Sequence, residues 1–366
     1  MSDANIITAF LQEHEATPVG LTPQLPLLPP EEEEAEAPPT TDLTVEEDPE
    51  HWQPKLVPEQ PSAEPGEFPI RFIDGCQAGQ PVLCLSVRDR GWPIPLFLAE
   101  VGAVALRMER RRFVREFQVV ERVLSFVADP FPWAQVEAFV SAMGNDPEFR
   151  IRVLPANLPP TDRNHFDYEV MRSQARARAQ QEMTTLERLA LAVDRSVPTL
   201  VDGPLNRVMG TPPADGPLMV GVVKVQAASY LHEQGWRTLL ALRPAHRTPV
   251  FRITGSGQPT EERVPVASWY LKLAGGPQLA PNWGHVRVEV PWGQYLHRGG
   301  VKSGFVNRLS RWLIDARCRV ESYSRMPVSL DPIVRAEEAL KPLLTPLPVL
   351  VNRLYRRTGI IRRNEL

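Results

Sequence analysis

The residues best suited to chemistry in this chain are two aspartates, each set between a short apolar run and a glycine. Pro69–Gly75 (PIRFIDG) and Pro198–Gly203 (PTLVDG) share one grammar: β-prone residues, a carboxylate, then a glycine that lets the chain turn sharply. If both runs are parallel strands of one sheet, Asp74 and Asp202 emerge at the same edge. Two ionised carboxylates held together there repel unless a cation lies between them. Ligands that are oxygens alone suit Mg2+ or Mn2+. A pair of such ions can activate water and stabilise the leaving oxygen of a phosphodiester. Taken singly, each Asp-Gly is equally an ordinary turn dipeptide. The matched pair, in a chain without another cofactor motif, is what singles them out.

Other chemistries lack their residues. There is no G-x-x-x-x-G-K-[ST] phosphate loop, no G-x-G-x-x-G after a strand and no G-x-S-x-G elbow. Gly255-Ser-Gly257 lies in a polar stretch and reads as a hairpin turn. His232-Glu233 has no second histidine at zincin spacing, and the seven histidines are scattered. Three cysteines (Cys76, Cys84, Cys318), with no C-x-x-C pair, exclude a disulfide scaffold and a cysteine zinc site.

The elements that must position the aspartates follow from patterning. The 366 residues allow about two domains, or one large one with an appendage. A hydrophobic content of 43 % is enough for a true core. No apolar run is long enough to span a membrane, and the first residues carry no signal-peptide pattern, so a cytoplasmic protein is expected. Strands are predicted at 69–75, 81–87, 97–108, 198–203, 218–225, 264–273 and 285–290, the last two as a pair. Helices are predicted at 133–143, 168–193, 226–233, 305–316 and 332–344, with a basic closing segment over 346–366. Strands interleaved with helices in this way make a mixed α/β sheet with helices packed on it.

The net charge of −3 conceals two opposite parts. Residues 1–65 carry 15 acidic groups and a single base, Lys55; the remainder carries an excess of 11 positive charges. Twelve prolines between Thr17 and Pro65 and the run Glu31–Glu34 predict a disordered acidic, Pro-rich tail over 1–68. Within it, Ile6, Ile7, Phe10 and Leu11 fall at helical spacing after Asp3, the pattern of a short helix that docks a partner on a flexible tether, although the stronger expectation is a frayed terminus that touches nothing. The basic body favours polyanions such as nucleic acid.

In their order along the chain, the motifs resemble the NurA family of DNA-repair nucleases. The matching segments are Phe72–Gly75 (FIDG), Leu200–Leu205 (LVDGPL), Val220–Lys224 (VGVVK), Ser268–Leu273 (SWYLKL), His285–Pro291 (HVRVEVP) and Pro332–Glu337 (PIVRAE). They span residues 69–345, the nuclease domain on this reading, and none of the tail. The resemblance implies an RNase H-like core and Mn2+-dependent (or Mg2+-dependent) cleavage of DNA, of exonuclease and single-strand endonuclease type, in end resection at double-strand breaks. It also implies a homodimer and partnership with a hexameric HerA-type translocase. Carried over by position, Asp74 and Asp202 become metal ligands, joined by a helix acid, Glu187 or alternatively Glu182. Lys224 becomes the group that neutralises phosphate charge. The last ligand slot, usually His or Asp in the family, holds Glu337 with Glu338 beside it.

A second reading keeps the fold without the activity: a catalytically silent adaptor that binds DNA or a partner. Glu109, amid arginines, reads as an ion-pair residue. Arg107–Arg115, Arg172, Arg176, Arg178 and the C-terminal arginines Arg356, Arg357, Arg362 and Arg363 are expected near phosphates or a partner. Trp269, Tyr270, Trp283 and Trp292 are the aromatic residues available for stacking on bases, with Trp269 placed in the core by its alternation and Trp283 at a hairpin tip.

Overall fold

The computed structural model describes residues 2–19, 40–59, 67–87, 93–145, 150–158, 167–207, 210–224, 230–254, 264–275, 283–319 and 329–360. In chain order, the first elements are α1 (Asp3–Glu13), β1 (Thr17–Pro18), β2 (Thr41–Asp42), β3 (Lys55–Leu56), β4 (Arg71–Ser86), β5 (Pro93–Glu109), β6 (Arg112–Val127), α2 (Trp133–Gly144), β7 (Arg152–Ala156) and α3 (Tyr168–Val193). There follow β8 (Thr199–Asp202), β9 (Met219–Val223), α4 (Glu233–Leu240), β10 (His246–Arg247), β11 (Phe251–Ile253), β12 (Val266–Lys272), β13 (His285–Pro291), α5 (Trp292–His297), α6 (Phe305–Asp315), α7 (Asp331–Leu340) and α8 (Leu347–Thr358). The strands form one large mixed sheet ordered β2-β11-β12-β13-β9-β8-β4-β5-β6-β7, with helices on both faces. Among the described residues no helix is long and apolar enough to cross a membrane.

The centre of the sheet positions the aspartates. β4, β5 and β6 are a long antiparallel meander, and β8 and β9 join it in parallel to β4. Parallel strands need a covered crossover between them, and α3 lies in the chain between β6 and β8. Asp167 caps it by accepting the Glu169 N–H at 2.8 Å. Its buried face (Ala175, Ala179, Leu186, Ala190) meets Ala99, Ala103, Ala105 and Val201. Alanine on both sides lets a helix lie close to a sheet.

The sheet departs from the sequence reading in three places. Runs 69–75 and 81–87 are one 16-residue strand, so Asp74-Gly75 does not stop a strand but sits inside it. Continuous pairing with β5, Asp74 opposite Val104 and Gly75 opposite Ala103, overrides the turn tendency of the dipeptide. Residues 112–127, for which no strand was expected, form β6; their alternation is blurred by charged residues on the half-exposed face (REFQVVER). The helix expected at 226–233 is instead α4, and the first half of the expected span lies outside the described residues, as do Gly255-Ser-Gly257 and the Glu31–Glu34 run.

The acidic leader is not structureless over its described residues. α1 buries Ile7, Phe10 and Leu11 against Phe126, Phe131 and Phe139, with the Phe10 and Phe139 rings stacked at 4.4 Å. Thr17 and Pro18 pair with β4. Trp52 is fully buried with Leu239, Phe251 and Tyr270. Glu46 accepts two hydrogen bonds from the Arg247 guanidinium, at 2.7 and 3.0 Å, and one from the Val250 N–H. Composition hid these anchors because an average over 65 residues dilutes three or four large apolar side chains. The closing segment is likewise built in: α8 buries Leu350, Val351 and Leu354 in the same cluster as α1, and the Tyr355 hydroxyl donates to the Val82 carbonyl at 2.7 Å. Phe10→Ala is expected to cost about 3–5 kcal/mol of stability, read by denaturant unfolding, and removal of residues 1–58 to leave an aggregation-prone chain. A truncated protein that unfolds at the full-length midpoint would show that these contacts are dispensable.

Candidate active site

The register of β4 with β8 is Arg71–Thr199, Phe72–Leu200 and Ile73–Val201, all parallel. Its next step sets Asp74 beside Asp202, about 4.8 Å apart between strands. Both side chains project to the face opposite α3, because Ile73 and Val201 point to α3 while Phe72 and Leu200 point away. β8 then ends: Gly203 takes φ +118, and its N–H bonds to the Val222 carbonyl at 2.9 Å. Here the glycine does supply the turn expected of it.

Lys224 follows β9, two residues beyond Val222, the register partner of Asp202. Its Nζ donates to Asp202 Oδ2 at 2.8 Å, with both side chains about one-fifth exposed. Glu337 approaches on α7, which lies against β4 and β5 through Ala336 and Leu340 packed on Val104 and Leu106. Its carboxylate pairs with Lys341 Nζ at 2.8 Å, one helical turn on. Glu338 pairs instead with Arg335, on the exposed side of the helix.

Glu187 arrives from α3. A Cβ at Gly75 would lie 2.9 Å from Glu187 Cδ and closer still to its Oε1. A side chain there would force Glu187 to move, so Gly75 leaves room for Glu187 rather than turning the chain. Glu182, the alternative, is held elsewhere: it accepts from Arg152, which also donates to Glu121. The helix acid beside the aspartates is therefore Glu187.

Asp202, Lys224, Glu187 and Glu337 all lie close enough to act electrostatically on Asp74. Burial of Asp74, only 6 % exposed, pushes its carboxyl well above the usual carboxylate range. The negative charges of Asp202, Glu187 and Glu337 push the same way, and Lys224 alone opposes them. Cys76, two residues along the same face, is pushed up to about 12 by burial and then by Asp74. An all-oxygen donor set with surplus negative charge fits a hard divalent cation by its chemistry. As placed, however, no three His, Cys, Asp or Glu among the described residues are close enough to hold one ion, and Lys224 takes up the bonding position on Asp202.

Three supporting residues escaped the sequence reading. The fully buried Arg71 donates to Glu116 at 2.7 Å and to the carbonyls of Ala190 and Asp194, tying the C-terminal end of α3 to the strand that carries Asp74. Glu289, also buried, accepts the Leu205 N–H at 2.9 Å and an Arg287 N–H at 2.8 Å, fixing the turn after Asp202. Lys341 neutralises Glu337. The available signal was a charged residue at an inward position of an apolar alternation: Arg71 in RFIDG, and Arg287 and Glu289 in HVRVEVP. Glu109 is an ion-pair residue, 3.8 Å from Arg107. His285 is buried and far from the usual imidazole range, pushed down to about 4 by burial and Lys272. Trp269 and Tyr270 are core residues, which removes them as base-stacking groups; Trp283 and Trp292 are half-buried. Arg362 and Arg363 lie outside the described residues.

No family model and no curated protein matches the chain. Among solved structures, the crystal structure of the NurA nuclease from Sulfolobus solfataricus aligns over 86 % of this chain and 89 % of its own, at 12 % sequence identity and a TM-score of 0.45. A likeness of that degree establishes neither membership of the family nor an activity.

The sign of the Asp74 shift gives a stability test. An acid whose folded pKa is raised favours folding below its unfolded value, near 3.9, and that contribution is lost as pH rises through the folded value. Asp74→Asn is thus expected to raise the thermal midpoint at pH 8 and to change it little at pH 4. An equal gain at both would remove the like-charge cluster as its cause.

Proposed function

We propose that this protein is a metal-dependent deoxyribonuclease whose active site is Asp74, Glu187, Asp202 and Glu337 with Lys224. The single observation that carries the reading is geometric: the parallel register of β4 and β8 brings the carboxylates of Asp74 and Asp202 to one face of the sheet, with Lys224 Nζ 2.8 Å from Asp202 Oδ2. A structural role would favour apolar replacement of such a cluster, whereas a cation-binding role requires it. The meander β6-β5-β4 continued in parallel by β8 and β9, with the acid on its middle strand, supports an RNase H-like core.

In this reading the four carboxylates hold Mn2+ or Mg2+. Bound there, the ion would activate water and offset charge on the leaving oxygen. Asp74 lies deepest and anchors the site from the middle strand. Asp202 and Lys224 lie nearer solvent, so they meet the substrate first. Lys224 places its ammonium where negative charge grows on the phosphoryl oxygens, which lowers the barrier only if it is held there beforehand; its bond to Asp202 does that. Glu187 and Glu337 close the site from opposite faces of the sheet. Assembly as a homodimer and coupling to a ring-shaped HerA-type translocase in end resection are further parts of the proposal, open to light scattering and co-purification.

One observation favours a second reading. Lys224 bound to Asp202, with no three acids within reach of one ion, also suits an adaptor that keeps the nuclease fold and only binds DNA. Cleavage of linear duplex and single-stranded DNA decides between them. With Mn2+, wild type is expected to cut; Asp74→Ala and Asp202→Ala to fall to background; Lys224→Ala to lose about 10²–10³-fold. Glu187→Gln is expected to fall with them, while Glu182→Gln retains rate and loses stability. Cutting that survives both aspartate changes would overturn the mechanism, and no cutting by wild type under any metal would favour the adaptor.

A further inference from the structure

The hairpin joining β5 to β6 ends in a two-residue turn, with Glu109 paired to Arg112 and Arg110-Arg111 between them. Both central residues have positive φ, 45° and 68°. A turn of this shape matches the twist of its strands, but it favours Asn-Gly, because a side chain in the left-handed region is strained. Arginine twice in succession is a poor choice for folding. Arg110, Arg111, Arg112 and Arg115 are all exposed, and among the described residues none is paired with a carboxylate. The platform beneath them is firm. Arg107 is held by Glu116 and Asp194 at 3.2 and 3.4 Å, and Phe113 packs edge-on against the buried Phe72.

Strain and unpaired charge at one rigid tip have a common explanation in a ligand that the turn is kept for. We propose that this tip grips the phosphate backbone of DNA, as an anchor separate from the site that would cut it; the inference rests on the nuclease reading for the identity of the polyanion. Val104 lies opposite Asp74, and Glu109 is five positions further along β5, so the tip stands about 17 Å from the level of Asp74. At about 3.4 Å per phosphate of one strand, that is roughly five nucleotides. The anchor therefore contacts the substrate about five nucleotides from the scissile phosphate.

The test replaces Arg110-Arg111 by the residues the turn prefers, Arg110→Asn with Arg111→Gly, in the full-length protein. Binding to a fluorescein-labelled 30-base-pair duplex is measured with EDTA present across 50–200 mM NaCl, alongside thermal unfolding. The variant is expected to melt higher than wild type while its plot of log affinity against log salt becomes shallower by about two. Higher stability with weaker binding cannot arise from misfolding. An Arg112→Gln, Arg115→Gln variant, which leaves the turn alone, is expected to reduce the slope similarly. An unchanged slope in both variants overturns the proposal, as does loss of binding to phosphatidylserine vesicles with duplex binding intact. Because no cleavage is involved, normal binding that depends on the tip, together with absent Mn2+-dependent cutting, would sink the nuclease reading and spare the anchor.

Discussion

Three residues of parallel pairing between β4 and β8 govern the site. They are short, but they fix register, and register fixes face. Slipping by one residue would send Asp202 toward α3 and leave Asp74 with Glu337 alone. In the observed register two acids stand side by side on strands about 4.8 Å apart, in surroundings that penalise charge. Nothing in the strands themselves stabilises that arrangement. It is held by the apolar residues before it: Phe72 and Leu200 on one face, Ile73 and Val201 on the other, all essentially buried. The core is thus arranged to hold together two groups that repel.

The remaining acids reach the pair from opposite sides, and small residues make that possible. Glu187 belongs to the α3 face and lies over Gly75, whose missing side chain leaves room for it there. Alanines at the helix–sheet contact bring α3 close enough to use that room, and Arg71 pins the far end of the helix three residues before Asp74. Glu337 comes from α7 over Gly102, where a Cβ would press on Leu340 at 3.1 Å. Both approaches depend on atoms that are missing from glycine, and such dependence is invisible to a reading that scores only what side chains contribute.

That distinction separates what was legible in the sequence from what was not. Asp74 and Asp202 were conspicuous because a carboxylate is costly in an apolar strand, whereas Glu187, Lys224 and Glu337 were named only through the order of the motifs. α3 was legible end to end, since 26 residues of helical periodicity outweigh any local ambiguity. Gly75 was read as a turn because Asp-Gly is one in isolation; its pairing with Ala103 of β5 carries the strand through. Glu187 was preferred over Glu182 only by its place in the motif order; what separates the two physically, Arg152 holding Glu182, lies on a different strand. β6 was missed for the same reason that its hairpin is informative: charged residues intrude on its alternation.

Charge counted along the chain also misleads until it is placed in space. The leader holds most of the acidic surplus, yet Glu46 is spent on Arg247, Glu47 on Lys55, and Glu67 on Arg308 within the fold. The basic excess of the body is likewise reduced where Arg71 and Arg287 are buried against glutamates. What a polyanion would meet is therefore set by arginines whose partners are absent, not by net charge. By that measure Arg110, Arg111, Arg112 and Arg115 differ from the arginines buried in the sheet. They are exposed, without a carboxylate partner among the described residues and held on a firm base, and two of them keep a backbone conformation that arginine disfavours. If the tip grips DNA as proposed, its attraction acts over about a Debye length. The field of the carboxylates alone would turn a phosphate away, and an anchor offset along β5 would supply attraction at a distance from them.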